Sequence, residues 1–333
     1  MGSKYTIACV DSHVAGEPLR LLVGGPRLKG NTMHEKQLFM QKNFDFIRTA
    51  TMLEPRGHAD MFGAVLTEPC NPEADLGILF INGGCYDNMC GHGSIAVGCI
   101  AVNTGLVKVE EPVTSVKIDT IAGLVTIKVQ VEHGQAVSAT LEGIPSFLYL
   151  PDVTLNVFGQ DVKIDIAYGG NFFAIVDMKQ LGLRHSIKDV DGFIRYGKEI
   201  RDQVNQTIKI QHPIYEYINW VNDILFTGEP EFEGDTYKSL VFLGEAQIDR
   251  SPCGTGTSAR MGMLYRKGKL QRGEVFKHES VLGTVFHGGV GPDVTVGPYD
   301  AIIPLVTSSC HIIGHTTLII DEDDPLKDGF LLR

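Results

Sequence analysis

The chain has 333 residues, 43% of them apolar and 21% charged, with a formal charge of −11. That is the composition of a folded globular protein, and the scattered acidic excess argues against a nucleic-acid surface, which needs clustered Lys and Arg. No apolar run reaches the roughly 18 residues of a membrane helix, and size scaling favours two domains of ordinary size.

The first residues, Met1-Gly2-Ser3-Lys4-Tyr5-Thr6, fit an N-myristoylation pattern that reads as coincidence, and the basic-then-apolar order of a secretory signal is missing. Seven cysteines (Cys9, Cys70, Cys85, Cys90, Cys99, Cys253 and Cys310) are odd in number and widely spread. They form no disulfide framework, so a reducing cytoplasm is expected. Most should lie in cores, where free Cys packs as a small apolar residue.

In chain order, short β-type runs fall at 5–10, 19–23, 76–81, 115–118, 125–131 and 162–166, then at 174–176, 224–226, 239–243, 294–296 and 316–320. Gly, Pro, Asn and Asp clusters separate them as turns. Helical periodicity is confined to 35–52, 92–103, 186–206 and 255–266. The expected class is α+β, with mostly antiparallel sheet and few helices.

One internal echo stands out. Cys90-Gly91-His92-Gly93-Ser94-Ile95-Ala96 and Cys253-Gly254-Thr255-Gly256-Thr257-Ser258-Ala259 share the pattern Cys-Gly-x-Gly-x-x-Ala. Each copy leads into a helical stretch closed by a glycine, Gly105 or Gly268, at the same spacing from its cysteine. The copies lie about half a chain apart, as in two related halves that each present one cysteine.

The pattern places each sulfur just before the first turn of a helix. Helix-start amides have no intrahelical partner and carry positive partial charge, so they stabilise a thiolate and bind a carboxylate. Two such ends suit inversion of a stereocentre, in which one thiolate takes the α-proton and a thiol returns it from the other side. Rival readings use the same residues. Gly91-x-Gly93-x-x-Ala96 fits a dinucleotide fingerprint, but a polar segment separates it from the preceding strand. Cys85, Cys90 and His92 lack structural-zinc spacing. A single-cysteine hydrolase, or plain packing of both cysteines, leaves the duplication unexplained. Asp249, four residues before Cys253, is a candidate for a substrate ammonium, and His92 for the same group. Phe62, Phe172 and Phe173 are candidate walls for an apolar ring.

These motifs resemble the proline racemase family. The blocks that carry the likeness are Asp11-Ser12-His13, Gly16-Glu17-Pro18, Glu54-Pro55-Arg56-Gly57-His58-Ala59-Asp60-Met61-Phe62-Gly63, Asn88-Met89-Cys90-Gly91-His92-Gly93-Ser94, Gly169-Gly170-Asn171-Phe172-Phe173-Ala174, and Asp249-Arg250-Ser251-Pro252 running into the second cysteine motif. The resemblance implies a diaminopimelate epimerase-like fold: two similar domains, each a curled sheet around a central helix, with the substrate in the interdomain cleft. Residues 1–120 plus 300–333 would carry Cys90, and 121–299 would carry Cys253. It further implies a cytoplasmic homodimer with no cofactor and no metal, acting on a small molecule. Cys90 and Cys253 would shuttle the α-proton, with Gly91, His92, Gly254 and Thr255 on the carboxylate and Asp249 with His92 on the ring nitrogen. The expected reaction is interconversion of L- and D-proline, the alternative 4-hydroxyproline 2-epimerisation. A nucleotide-binding oxidoreductase or an imino-acid-binding protein ranks below both. Relatives that dehydrate 3-hydroxyproline have Thr or Ser for the second cysteine, whereas both are present here. Phe62 resembles the proline-specific members, while Leu243 departs from the Phe usual there.

Overall fold

A computed structural model describes residues 4–332. Met1–Ser3, where the acylation-like hexapeptide begins, and Arg333 lie outside the described residues. The chain forms two compact units, one running from the N-terminus through Ala139 and resuming at Ser309, the other Thr140–Ser308. The divisions fall later than the expected 120 and 300. A cut at 120 would split the hairpin of Val113–Thr120 with Gly123–Glu132, and one at 300 would split the strand Tyr299–Ser308.

In the first unit, strand Lys4–Val14 pairs antiparallel with both Glu17–Leu22 and Cys310–Asp321. Helix α1 (Met33–Met52) starts at Thr32, whose hydroxyl accepts the Glu35 amide at 3.1 Å, while the Glu35 carboxylate accepts the Asn31 amide at 2.7 Å. The first bond satisfies an amide that the helix leaves open, and the second ties the residue before the cap to the same turn. The chain then enters Phe62–Thr67, parallel to Glu17–Leu22, and turns back antiparallel along Leu76–Asn82. Helix α2 (Gly91–Thr104) crosses to Val113–Thr120, parallel to Leu76–Asn82.

The second unit repeats that order. Phe172–Asp177 leads through α3 (Val190–Thr207) to the parallel strand Val221–Gly228, which pairs antiparallel with Tyr237–Leu243. Helix α4 (Gly254–Arg266) then crosses to Phe276–Glu279, parallel to Tyr237–Leu243. The cysteine echo therefore belongs to a longer repeat of strand, helix, hairpin, helix, strand.

Both cysteine-led helices are central. Every residue from Gly91 to Val102 of α2 is buried, as is every residue from Gly254 to Leu264 of α4. Their glycines permit the close approach. A Cβ on Gly98 would stand 2.6 Å from Ile127 Cγ2, and one on Gly262 would stand 2.9 Å from the Ser146 carbonyl. Gly105 and Gly268 close the helices with φ of 72° and 70°, the left-handed conformation that glycine adopts without Cβ strain.

Some expectations change, and strands Phe62–Thr67, Gln135–Glu142 and Phe276–Glu279 are additions to the expected runs. Ser186 caps a separate 3-10 turn, Ile187–Asp189, so α3 begins at Val190 and not at 186. Strands Phe147–Val157 and Tyr299–Ser308 were not expected, because Pro151 and Pro304 interrupt their patterns and remove ladder donors. Both prolines sit at irregular positions. Asp152, after Pro151, has φ of 53°, and the Tyr299–Ser308 pairing slips between Val290 and Asp293 of its partner strand.

The fold carries an acid-sensitive group. His212 is buried, its Nδ1 accepts the amides of Ile214 and Tyr215, and burial pushes its pKa down from 6.5 to about 4. Between those values the unfolded chain binds the extra proton, so stability falls as pH drops from 6.5 toward 4. The expected loss between pH 7 and pH 4.5 is about 2 kcal/mol. Urea midpoints at pH 7 and pH 4.5 measure it, and His212→Gln should flatten the difference; an unchanged slope in that variant would remove His212 as the cause.

Candidate active site

Cys90 is the N-cap of α2, with extended φ and ψ of −133° and 122°, and its sulfur accepts the Gly93 amide at 3.3 Å. The residue is 6% exposed. His92 turns its ring back onto the sulfur, placing Nδ1 3.2 Å from Cys90 Sγ and Nε2 3.2 Å from the Pro18 carbonyl. A carbonyl only accepts, so Nε2 carries a proton and Nδ1 meets the sulfur. One further proton is then shared between Sγ and Nδ1, giving either thiol and imidazole or thiolate and imidazolium. The Phe62 ring meets His92 edge-on with centroids 5.0 Å apart. Gly93 is required beneath the sulfur, because a Cβ there would lie 2.7 Å from the Phe80 ring.

Cys253 is the N-cap of α4, and its sulfur likewise accepts the third amide, that of Gly256, at 3.3 Å. Thr255 Oγ1 stands 3.5 Å from the sulfur. The backbone differs from that of Cys90: φ is 66° with ψ of 115°, a region that costs a non-glycine residue about 1–3 kcal/mol. Its amide donates to Ser251 Oγ at 3.0 Å, and Ser251 donates from both its hydroxyl and its amide to Asp249 Oδ1 at 2.8 Å. In both copies the sulfur takes the third helix amide. The first two, Gly91 and His92 or Gly254 and Thr255, stand where no intrahelical carbonyl reaches.

The helix start does not lower the Cys253 pKa as the motif alone suggests. Burial pushes the thiol well up, the Asp249 and Asp223 carboxylates push further, and the bonds from Thr255 and Gly256 only partly offset them. Cys253 therefore rests protonated. Cys9 behaves similarly, raised to about 12 mainly by burial. In the unfolded chain such thiols ionise near 9, so above that pH the unfolded state loses protons that the native state keeps, and stability falls. Each thiol should contribute a loss of about 1.4 kcal/mol between pH 8 and 10. Urea titrations at the two pH values test this, and a midpoint that holds steady to pH 10 would contradict it.

Among the expected site residues, Phe62, Cys90, Gly91 and His92 come together in the first unit, and Asp249, Cys253, Gly254 and Thr255 in the second. Leu243 is half-buried opposite Gln247 in the hairpin that leads to Asp249, whose amide donates to Val241 at 3.0 Å. Phe173 underlies the Cys253 helix start, within 3.4 Å of where a Gly256 Cβ would stand. Phe172 joins the aromatic core around Phe147, Tyr168 and His212 instead. Sequence reasoning missed Pro18 as the acceptor for His92, Ser251, and the charge of Asp223. It also missed Thr257 and the fully buried Arg260 of α4, with His278 on the adjacent strand. Of these, Pro18, Ser251 and Thr257 lie inside the recognised motifs, whereas Asp223, Arg260 and His278 do not.

The fold is mixed α+β of the diaminopimelate epimerase type, and cysteine-capped central helices mark both of its halves. The family model described as "Proline racemase" matches residues 9–331. The chain is 46% identical to the proline racemase of Acetoanaerobium sticklandii over 327 residues, covering 97% of this chain and 98% of that protein. It is 45% identical over 335 residues to the proline racemase of Clostridioides difficile, with full coverage of both. Among solved structures, a hydroxyproline epimerase from Agrobacterium vitis with bound trans-4-OH-L-proline superposes with a TM-score of 0.93 at 29% identity. That match covers 98% of this chain and 95% of the other. The chain belongs to the proline racemase family and is an isomerase acting on amino acids. None of its described helices is long and apolar enough to cross a membrane.

Proposed function

We propose that this enzyme interconverts L- and D-proline without a cofactor, Cys90 and Cys253 acting as the two acid/base groups on opposite sides of the α-carbon. The observation that carries this reading is the same seat built twice: a buried cysteine capping a central helix, its sulfur on the third amide at 3.3 Å. In the resting pair, Cys253 is the thiol, held protonated by burial and by Asp249 and Asp223. Cys90 is the base, its proton passed to His92 Nδ1 across 3.2 Å. Thiolate takes the α-proton, the thiol delivers its own to the other face, and turnover leaves the roles exchanged. Because only thiolate with thiol is competent, the rate should be bell-shaped in pH. Helix-start amides neutralise the substrate carboxylate and accommodate the carbanion charge. Asp249 attracts the ring ammonium. The active form is read as a cytoplasmic homodimer, following the family.

Proline is preferred over 4-hydroxyproline because Phe62 and Leu243 offer no partner to a ring hydroxyl, and a buried unpaired hydroxyl costs about 1–3 kcal/mol. The alternative, 4-hydroxyproline 2-epimerisation, is supported by the similarity to the Agrobacterium vitis epimerase. Incubation in D2O with L-proline and, separately, trans-4-hydroxy-L-proline decides between them by α-deuterium incorporation and chiral composition. Inversion with exchange of proline supports the proposal. Preference for hydroxyproline corrects the substrate, and exchange with neither overturns the reaction.

A further inference from the structure

The strained cysteine of the second unit is held by more than its own motif. Pro252 and Cys253 share one peptide group, and the rotation that gives Cys253 its φ of 66° is about the bond from that group to Cys253 Cα. Both ends of the group are gripped. Its N–H donates to Ser251 Oγ at 3.0 Å, and Ser251 donates to Asp249 Oδ1 at 2.8 Å. Its carbonyl accepts from Ser239 Oγ at 3.3 Å and from Thr257 Oγ1 at 3.5 Å. Thr257 Oγ1 in turn lies 2.7 Å from His278 Nδ1, and His278 Nε2 lies 3.2 Å from Arg260 Nη1.

The direction of every bond in this series follows from chemistry. A guanidinium only donates, so His278 Nε2 must accept and carries no proton. The imidazole is neutral, since burial, Arg260 and His185 all push its pKa well below 6.5. Its single proton is therefore on Nδ1 and is donated to Thr257. The Thr257 hydroxyl proton is then released toward the Pro252 carbonyl. From there the order passes through the peptide to Cys253 N–H, Ser251 and the Asp249 carboxylate.

We propose that Arg260, His278 and Thr257 are positioning residues for Cys253: with Ser251 and Asp249 they form one polarised hydrogen-bond relay through the Pro252–Cys253 peptide that holds the cysteine in its strained conformation. A cation and an anion stand at its two ends, so every dipole in between is aligned, and such chains are mutually strengthened. Arg260, His278, Thr257, Ser251 and Asp249 are all under 5% exposed, so water does not compete with the relay. Cys90 has extended backbone of ordinary cost. The inference rests on the reading of Cys253 as an acid/base group.

Two measurements test it on the full chain. The first is the 15N spectrum of histidine-labelled protein, with the His278 signals assigned by their disappearance in His278→Gln. The expected result is a proton on Nδ1 alone; a proton on Nε2, or an imidazolium at pH 7, overturns the relay. The second is steady-state kinetics. Thr257→Val should lower kcat by about 10-fold or more, since misplacements of an ångström cost about that much or more, with KM within about 2-fold; Thr257→Ser should restore it. A valine variant with wild-type kcat overturns the proposal, as does a serine variant as slow as valine. If Thr257→Val does not fold, His278→Gln removes the donor to Thr257 Oγ1 and should show the same kcat-only loss; wild-type kcat there overturns the relay. Should the wild-type protein fail to racemise, or Cys253→Ser keep full activity, the acid/base reading falls, and the histidine spectrum still decides the relay.

Discussion

Cys253→Ser and Cys90→Ser should each lower kcat for racemisation by at least about 10²–10⁴-fold, the contribution of a positioned acid/base group. The replacement changes chemistry far more than structure. Serine is among the preferred helix N-caps, and its oxygen can accept the Gly256 or Gly93 amide that the sulfur now takes at 3.3 Å. The variants should therefore melt close to the wild-type temperature. A hydroxyl, however, ionises far above the working range of a thiol, so serine cannot supply the base for half of each cycle. His92 does not rescue Cys90→Ser, because its Nε2 proton is committed to Pro18 and its Nδ1 faces the capping atom. Since every turnover uses both groups, the double variant should be about as slow as either single one, the non-additivity of residues that act as a unit. Chiral chromatography of L-proline incubations, with thermal melts beside it, reads both effects. Activity above a tenth of wild type in either single variant would remove that cysteine from the pair.

Much of the site was legible in the sequence because its chemistry is local. Cys90 with His92, and Cys253 with Thr255, lie within one helical turn, and a glycine pattern around a cysteine specifies backbone before any packing is known. The echo between the motifs also announced the two-fold repeat of strands and helices. What the sequence withheld is of another kind. The Cys253 pKa is raised first by burial, then by Asp249, and further by Asp223, thirty positions upstream; a seven-residue motif encodes none of these. Arg260 reads as a solvated charge on a helix. Only packing shows that α4 has no solvated face along this stretch. The left-handed φ of Cys253 likewise has no signature, because cysteine, unlike Gly105 or Gly268, does not advertise it. Phe147–Val157 and Tyr299–Ser308 were hidden by their prolines, which antiparallel ladders absorb at irregular positions.

Arg260→Met should destabilise the protein by about 3 kcal/mol, the net of two opposing effects. The guanidinium is fully buried on α4 and donates to the Lys238 carbonyl at 2.8 Å, the Gly228 carbonyl at 3.1 Å and His278 Nε2 at 3.2 Å. Methionine matches its length but leaves two buried acceptors and the part-buried Lys238 carbonyl without that donor, at about 1–3 kcal/mol for each buried one. Against this, a charge no longer has to be desolvated, a strain visible in the Arg260 pKa, pushed down to about 10 by burial. Its acidic partner, Glu229, is 54% exposed, so removing the arginine strands no buried carboxylate. The acceptor losses therefore outweigh the relief. Arg260→Lys should rescue little, because one ammonium cannot reach acceptors arranged for a planar fork. The sign of the pH dependence gives a second check. Arg260 helps depress the His278 pKa, and a depressed histidine makes stability fall as pH drops below 6.5. Without Arg260 that fall is shallower, so the penalty of the methionine variant should shrink between pH 7 and pH 5. Urea unfolding at the two pH values measures both quantities. A methionine variant as stable as wild type at pH 7 would place Arg260 among buried charges that an apolar side chain replaces at no cost.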